Sequence, residues 1–368
     1  MQSDLLLGVG VLGSAYKGEI KYLQIIDESG NADDSLFPRD LADPKVIEMY
    51  KAMMLARAID TKILSLQRQG RTATYAPGLG EEAVQIGSAM AMRKEDIFVP
   101  AFRQGGVYLV RGLPMEVLLL YWMGYEEGNI IPKEVNGFPM AVPVSTQMPH
   151  SAGIAFAQMY KSRDVAVVSY VGDGGTSEGD FYEALNFAGV WKAPLVAIIQ
   201  NNQWAISVPR SKQSAARTLA QKAIAAGINA VQVDGNDVVA VYSAVRDAIE
   251  NSKKGPTLIE CVTYRIGMHT TSDDPTKYRS DSEVEEWKGK DPILRIKAYL
   301  SKRGAWDDTK EKALVEEQAK TVDDMVEKAE AFKPDPKSIF EHVYGSVSET
   351  LKKEMNEAEA SYFWQGEI

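Results

Sequence analysis

Val165-Ala166-Val167-Val168-Ser169-Tyr170-Val171 runs directly into Gly172-Asp173-Gly174-Gly175-Thr176-Ser177-Glu178-Gly179-Asp180. The first seven residues are β-rich and nearly all apolar, the pattern of a strand buried on both faces of a parallel sheet, and the glycines after them end it. From 180 to 191 apolar residues recur at three- and four-residue spacing, which predicts a helix. The alternation continues downstream. Strands are predicted at 195–200, 230–233 and 257–265, with helices at 219–226 and 238–251 between them. The fold class is therefore α/β, a doubly wound, mostly parallel sheet flanked by helices. Upstream, 44–69 and 81–92 read as helices, and 281–364 as a charged, mostly helical stretch.

The 368 residues carry 51 Asp+Glu against 41 Lys+Arg, a net charge of −10. That balance argues against a surface built to neutralise nucleic acid phosphates or an anionic membrane. The apolar stretch from Leu5 to Tyr16 is short of the roughly 18 residues that span a bilayer, and Asp4 stands where a basic leader segment would begin. The single cysteine, Cys261, forms no internal bridge and belongs to no CxxC, so a disulfide framework and a cysteine-rich zinc site are excluded. A cytoplasmic setting is expected. The expected organisation is an irregular N-terminal arm (1–43), one catalytic domain (44–280) and a helical C-terminal extension (281–368).

In open α/β sheets ligands bind beyond the carboxyl ends of the strands, which is where Gly172 to Asp180 falls. Glycines there let backbone amides approach a phosphate, and the helix that follows offers its first N–H groups. Two commoner glycine motifs fail: GxGxxG needs Gly where Ser177 stands, and a P-loop needs Lys-Ser/Thr where Asp180-Phe181 stands. The next strand ends in Asn201-Asn202-Gln203-Trp204, again at the mouth of the sheet. An aspartate carboxylate and an asparagine oxygen facing a phosphate site are the hard ligands Mg²⁺ takes, with phosphate and water completing its octahedron. Each half alone reads as a turn or a cap; the pair at adjacent strand ends points to a metal and a diphosphate.

This arrangement, Gly172-Asp173-Gly174, then 26 residues, then Asn201-Asn202, resembles the signature of the thiamine diphosphate enzymes. Most of the chain is similar to the alpha subunit of the decarboxylating component of 2-oxo acid dehydrogenase complexes. The resemblance implies the thiamine diphosphate-binding fold, with Mg²⁺ held by Asp173, Asn202 and the carbonyl of Trp204. It places the cofactor against Gly172, Gly174, Gly175, Phe102, Arg103, Arg265 and His269, with backbone groups of Val142 and Val144 on its pyrimidine side. It makes His269 the active-site histidine that positions the acyl group for transfer to a lipoyl group. An unperturbed histidine pKa would suit proton handling near neutrality. Of the other two histidines, His150 reads as a cap or packing residue and His342 as structural.

Thr263-Tyr264-Arg265-Ile266-Gly267-Met268-His269-Thr270-Thr271-Ser272-Asp273-Asp274, with Tyr278-Arg279-Ser280, is very similar to the signature loop of the branched-chain 2-oxo acid type. Val233-Asp234-Gly235-Asn236-Asp237 and Gly80-Glu81-Glu82 resemble that branch too. Phe102 replaces a tyrosine of the pattern, Gln200 an arginine and Met268 a histidine. In the branched-chain type the segment at 142–147 also binds K⁺; Pro143, Thr146 and Gln147 match, whereas Ala141 lacks the hydroxyl. Related complexes carry regulatory phosphorylation at the position of Thr270. The carboxylic acid that activates the aminopyrimidine sits on a second domain in this class, and one α/β domain is found here. The resemblance therefore implies a beta subunit, an alpha2beta2 heterotetramer and a lipoyl acyltransferase partner, with neither nucleic acid nor membrane. The alternatives are pyruvate or acetoin as substrate and, in a different class, a non-catalytic phosphate-binding module.

Overall fold

Residues 16, 18–335 and 337–361 are described by a computed structural model. The apolar stretch at 5–15, Pro336 and the end of the extension at 362–368 lie outside them. In chain order the strands are β1 (Lys21–Leu23), β2 (Ile97–Val99), β3 (Val167–Gly172), β4 (Leu195–Asn201), β5 (Trp204–Ala205), β6 (Val208–Pro209), β7 (Asn229–Asp234) and β8 (Thr257–Val262). The helices are α1 (Asp43–Arg68), α2 (Glu82–Ala91), α3 (Gly105–Arg111), α4 (Met115–Met123), α5 (Gln147–Tyr160), α6 (Gly179–Trp191), α7 (Arg210–Gln213), α8 (Lys222–Ala226), α9 (Val238–Glu250), α10 (Asp281–Lys288), α11 (Pro292–Lys302), α12 (Asp308–Glu330), α13 (Ser338–Glu341) and α14 (Glu349–Glu359).

Six strands form one sheet in the order β1-β7-β8-β4-β3-β2, every pair parallel, while β5 and β6 make a small antiparallel hairpin. Because side chains alternate along a strand, one sheet feeds two cores. Val168, Tyr170, Val196, Ile198, Ile259 and Cys261 pack toward α1, α2, α9 and α11. Val167, Val171, Leu195, Ala197, Ile199 and Leu258 pack toward α5 and α6. Burial on both faces is why β3 and β4 read as continuous apolar runs.

Two expectations about the strands are corrected. The arm at 1–43 is not wholly irregular: Lys21–Leu23 pairs in parallel with β7, three residues being too short to show a period. After it, the amides of Ile25 and Ile26 donate to Asp237 Oδ2 at 2.7 and 2.6 Å, while Asp237 Oδ1 caps α9 through Val239 and Ala240. The predicted strand at 257–265 stops at Val262, beyond which the chain turns into the site. The motif at 233–237 proves structural: Asp234 accepts from Arg295 at 2.6 Å and Gln24 at 2.7 Å, and Asn236 accepts from Thr263 at 2.6 Å. Helices α11 and α12 pack on α1, and Arg57 of α1 joins Glu82 of α2 to Asp291, the N-cap of α11.

Candidate active site at the mouth of the sheet

Register decides what converges. Gly172 of β3 lies opposite Gln200 of β4, and Asn201 of β4 opposite Val262 of β8. Asp173, Asn202 and Arg265 therefore leave three neighbouring strands at nearly one level, and Arg103 follows β2 on the far side of β3. Beside Asp173, Asn202 and Arg103 is a cavity of about 250 Å³, lined by Phe102, Arg103, Val144, Gly172 to Gly175, Asn202, Trp204 and His269 among others; Arg265 does not line it but lies behind Trp204, Ile206 and His269. Val142 is absent from that lining. It and Val144 stand half-exposed at 53% and 52% beside the opening.

Asp173 is 2% exposed, and its Oδ2 is buried without a hydrogen-bond partner. Burial, with Glu81 nearby, pushes its pKa up to about 7. A carboxylate so placed asks for a cation. Asn202 Oδ1 accepts from the Trp204 amide at 3.2 Å and keeps a lone pair to spare, and the Trp204 carbonyl, two residues on, accepts from Arg265 at 3.2 Å. These oxygens suit Mg²⁺. Among the described residues no cluster of three or more His, Cys, Asp or Glu offers a different metal site. The turn after Asp173 is a 3₁₀ segment, Gly174–Ser177, and α6 begins at Gly179, one residue before the predicted start. A Cβ on Gly172 would meet no atom within 4 Å, whereas one on Gly174 would lie 2.8 Å from Ala205 Cβ and one on Gly175 2.5 Å from Val171 Cγ2. Gly172 leaves space for a ligand, and the other two let the chain turn.

Two buried arginines stand beside this space. Arg265 is fully buried, and among the described residues no carboxylate lies within ion-pair distance of it. Its Nη1 donates to Trp204 O at 3.2 Å and its Nη2 to Ile206 O at 2.7 Å and Tyr278 Oη at 2.9 Å, leaving Nε unpartnered. Gln203 and Ile206 take left-handed backbone (φ 72° and 54°) to turn the chain there. For a β-branched residue such as Ile206, that conformation costs of order 1–3 kcal/mol. Arg103, 7% exposed, donates to Pro77 O at 2.6 Å, and its nearest carboxylate, Glu81, is 3.7 Å away. Two buried guanidiniums of this kind fit an anion such as a diphosphate.

His269 sits between them. Its Nδ1 is 3.1 Å from Arg103 Nη2 and 3.3 Å from Arg265 Nη1. Arginine only donates, so Nδ1 accepts and the ring proton resides on Nε2. Burial, then Arg103 and Arg265, lower its pKa to about 4. This corrects the expectation of titration near neutrality: the ring stays neutral and offers an Nε2–H donor. Phe102 meets the ring edge-on at 6.1 Å between centroids. The His269 amide donates to Asp273 Oδ2 at 2.8 Å, which also accepts from Tyr278 at 2.5 Å. His150, in the first turn of α5, and His342, after α13, are exposed and absent from the cavity lining.

Of the K⁺ segment, Thr146 Oγ1 donates to Pro143 O at 3.0 Å and Gln147 Oε1 is buried without a partner, while Ala141 contributes no hydroxyl. Sequence reasoning gave no role to Glu81, Gln104 or Gln200, which form a buried chain under the cavity. Gln104 donates to Gln200 at 3.0 Å, Gln200 to Glu81 at 2.6 Å, and Asn202 to Glu81 at 2.9 Å. The only signal was an acidic pair, Glu81-Glu82, inside an otherwise apolar stretch.

A carboxylate oxygen without a partner, an amide oxygen and two buried arginines, one of them with no carboxylate in reach among the described residues, stand at neighbouring parallel strand ends and suit a metal-assisted diphosphate site. The family model for the dehydrogenase E1 component matches residues 50–337. The pyruvate dehydrogenase E1 component subunit alpha of Acholeplasma laidlawii is 44% identical over 336 residues, covering 90% of this chain and 97% of its own. That of Staphylococcus aureus strain Mu50 is 40% identical over 342 residues, 92% of each chain, and that of Staphylococcus epidermidis matches to the same extent. The chain belongs to the dehydrogenase E1 component family, the 2-oxo acid dehydrogenases whose cofactors are thiamine diphosphate and Mg²⁺. These relatives are named for pyruvate, so they do not support the branched-chain type expected from the loop at 263–280.

Proposed function

We propose that this chain is the alpha subunit of a pyruvate dehydrogenase, decarboxylating pyruvate and passing the acetyl group to the lipoyl group of an acyltransferase partner. The observation that carries the reading is the meeting of Asp173, Asn202 and Arg103 around one cavity, with Arg265 buried behind it against two of the lining residues, Trp204 at 3.2 Å and His269 at 3.3 Å, and with pyruvate taken from the names of the relatives. Asp173 Oδ2, Asn202 Oδ1 and the Trp204 carbonyl would hold Mg²⁺, and Arg103 and Arg265 the diphosphate. When bound, thiamine diphosphate supplies the electron sink for loss of CO₂. His269, neutral and fixed by two arginines, would donate through Nε2 to the acyl oxygen, and the wall of Phe102 and Val144 would limit water.

A beta subunit in a two-plus-two heterotetramer would bring the carboxylic acid that activates the pyrimidine. The half-exposed Val142 and Val144 beside the opening suit that partner. A cytoplasmic setting accords with the single cysteine, Cys261, being buried and unpaired. The second reading, a branched 2-oxo acid as substrate, rests on the loop at 263–280. Contacts within that loop nonetheless serve the backbone and the anion site: Arg279 Nη2 donates to the carbonyls of Ile266 at 2.6 Å and Gly267 at 2.8 Å. Such a loop supports diphosphate binding in either branch. Purified alpha and beta subunits assayed together against pyruvate and 3-methyl-2-oxobutanoate should give the higher kcat/KM with pyruvate. The reverse order would establish the second reading.

A further inference from the structure

We infer that Glu81 sets the orientation of the Asn202 side chain, holding its amide oxygen toward the metal position, and that it does so as a hydrogen-bond acceptor. This rests on the metal site proposed above. An asparagine amide has nearly the same shape either way round, and its neighbours' hydrogen bonds decide which atom points where. Only the oxygen binds a hard cation. Glu81 is fully buried just before α2, and its Oε1 accepts from Asn202 Nδ2 at 2.9 Å. On the other side of the amide, Oδ1 accepts from the Trp204 amide at 3.2 Å. Turning the amide over would set its oxygen against a carboxylate and its NH₂ against an N–H. Both contacts would be repulsive.

Glu81 is itself held in place. Its Oε2 accepts from Gln200 Nε2 at 2.6 Å, Gln200 Oε1 accepts from Gln104 Nε2 at 3.0 Å, and Gln104 Oε1 accepts from the Arg103 amide at 3.2 Å. With Arg103 Nε 3.7 Å from its Oε1, the carboxylate joins the metal side of the site to its diphosphate side. Glu81 is thus a positioning residue that acts through Asn202.

The test is Mn²⁺ binding, read by electron paramagnetic resonance on the chain assembled with its beta subunit and thiamine diphosphate. Glu81→Gln keeps an acceptor for Asn202, and Gln200 and Gln104 can turn over to accept from its new amide, at the cost of the 3.2 Å bond from the Arg103 amide to Gln104 Oε1. Its Mn²⁺ affinity should stay within about fivefold of the parent, the cost of trading a charge-assisted bond for a neutral one. Glu81→Leu should weaken binding about 10–100-fold, as loss of a ligand's supporting partner does, with Glu81→Ala as substitute if the leucine variant fails to assemble. In an Asn202→Asp background, where an oxygen faces the metal either way, Glu81→Leu should no longer weaken binding. Equal losses in Glu81→Gln and Glu81→Leu, or the same loss from Glu81→Leu in both backgrounds, would overturn the orienting role. Asp173→Ala is the reference. If it too leaves Mn²⁺ affinity unchanged, the metal site itself is misplaced. If it abolishes binding while Glu81→Leu has no effect, only the role of Glu81 fails.

Discussion

Replacing Arg265 by methionine separates a structural arginine from one kept for an anion. The folded chain buries this guanidinium with no carboxylate in ion-pair reach among the described residues, gives it two carbonyls and a phenol, and leaves Nε free. In the cofactor-free protein two effects of the substitution oppose each other. Losing the donors leaves the Trp204 and Ile206 carbonyls unpaired, at about 1–3 kcal/mol each. Removing an uncompensated buried cation relieves several kcal/mol. The cofactor-free melting temperature should therefore move little. A charge-assisted bond to a diphosphate is worth about 1.5–3 kcal/mol, so the affinity for thiamine diphosphate should fall roughly 10- to 150-fold. Titration calorimetry and melting curves on the assembled enzyme, with and without Mg²⁺ and thiamine diphosphate, read both quantities. Arg265→Lys, which keeps the charge but loses the fork, should fall between. An unchanged dissociation constant in the methionine variant, together with a large loss of cofactor-free stability, would refute the reasoning and make Arg265 a framework residue.

Other consequences follow from single contacts. Arg57→Met leaves Glu82 and Asp291, buried carboxylates joined only through that guanidinium, so urea unfolding should show a loss of about 3–5 kcal/mol. Gly172→Ala puts a methyl where the chain itself offers no clash; folding stability should change by less than about 0.5 kcal/mol, while calorimetry should find thiamine diphosphate binding largely lost. His269, with its pKa lowered to about 4, should titrate far below the free value of 6.5 when followed by NMR in the cofactor-free chain. The sign follows from linkage: the stability that comes from keeping this ring neutral is present above the unfolded pKa and is lost as pH falls from about 6.5 toward 4. Arg265→Met should raise the midpoint; a midpoint at or above 6.5 in the parent would contradict the geometry.

Which parts of this site were legible in the sequence has a physical pattern. Asp173 and Asn202 were readable because each terminates a long strand buried on both faces, and apolar runs of that kind announce both the parallel sheet and the position of its mouth. Lys21–Leu23 and Ile97–Val99, three residues each, are too short for any periodicity to register, so the sheet's edges and order were hidden. Glu81 reaches Asn202 across 121 residues, and no local pattern encodes such a contact. The pKa of His269 was misjudged because the sequence places only Arg265 near it, whereas burial and Arg103, 166 residues away, complete the effect. The substrate branch was read from a loop whose arginines bind carbonyls and shape the anion site. Similarity there reports on cofactor binding and leaves the acyl group unread.

The central proposal is a metal held by Asp173, Asn202 and the Trp204 carbonyl. Anomalous diffraction from crystals of the assembled enzyme grown with Mn²⁺ and thiamine diphosphate tests it most directly. The expected result is one strong peak at a coordination distance of about 2.1 Å from Asp173 Oδ2, Asn202 Oδ1 and Trp204 O. A peak held by other residues, or cofactor bound at full occupancy with no metal peak against Asp173, would contradict it.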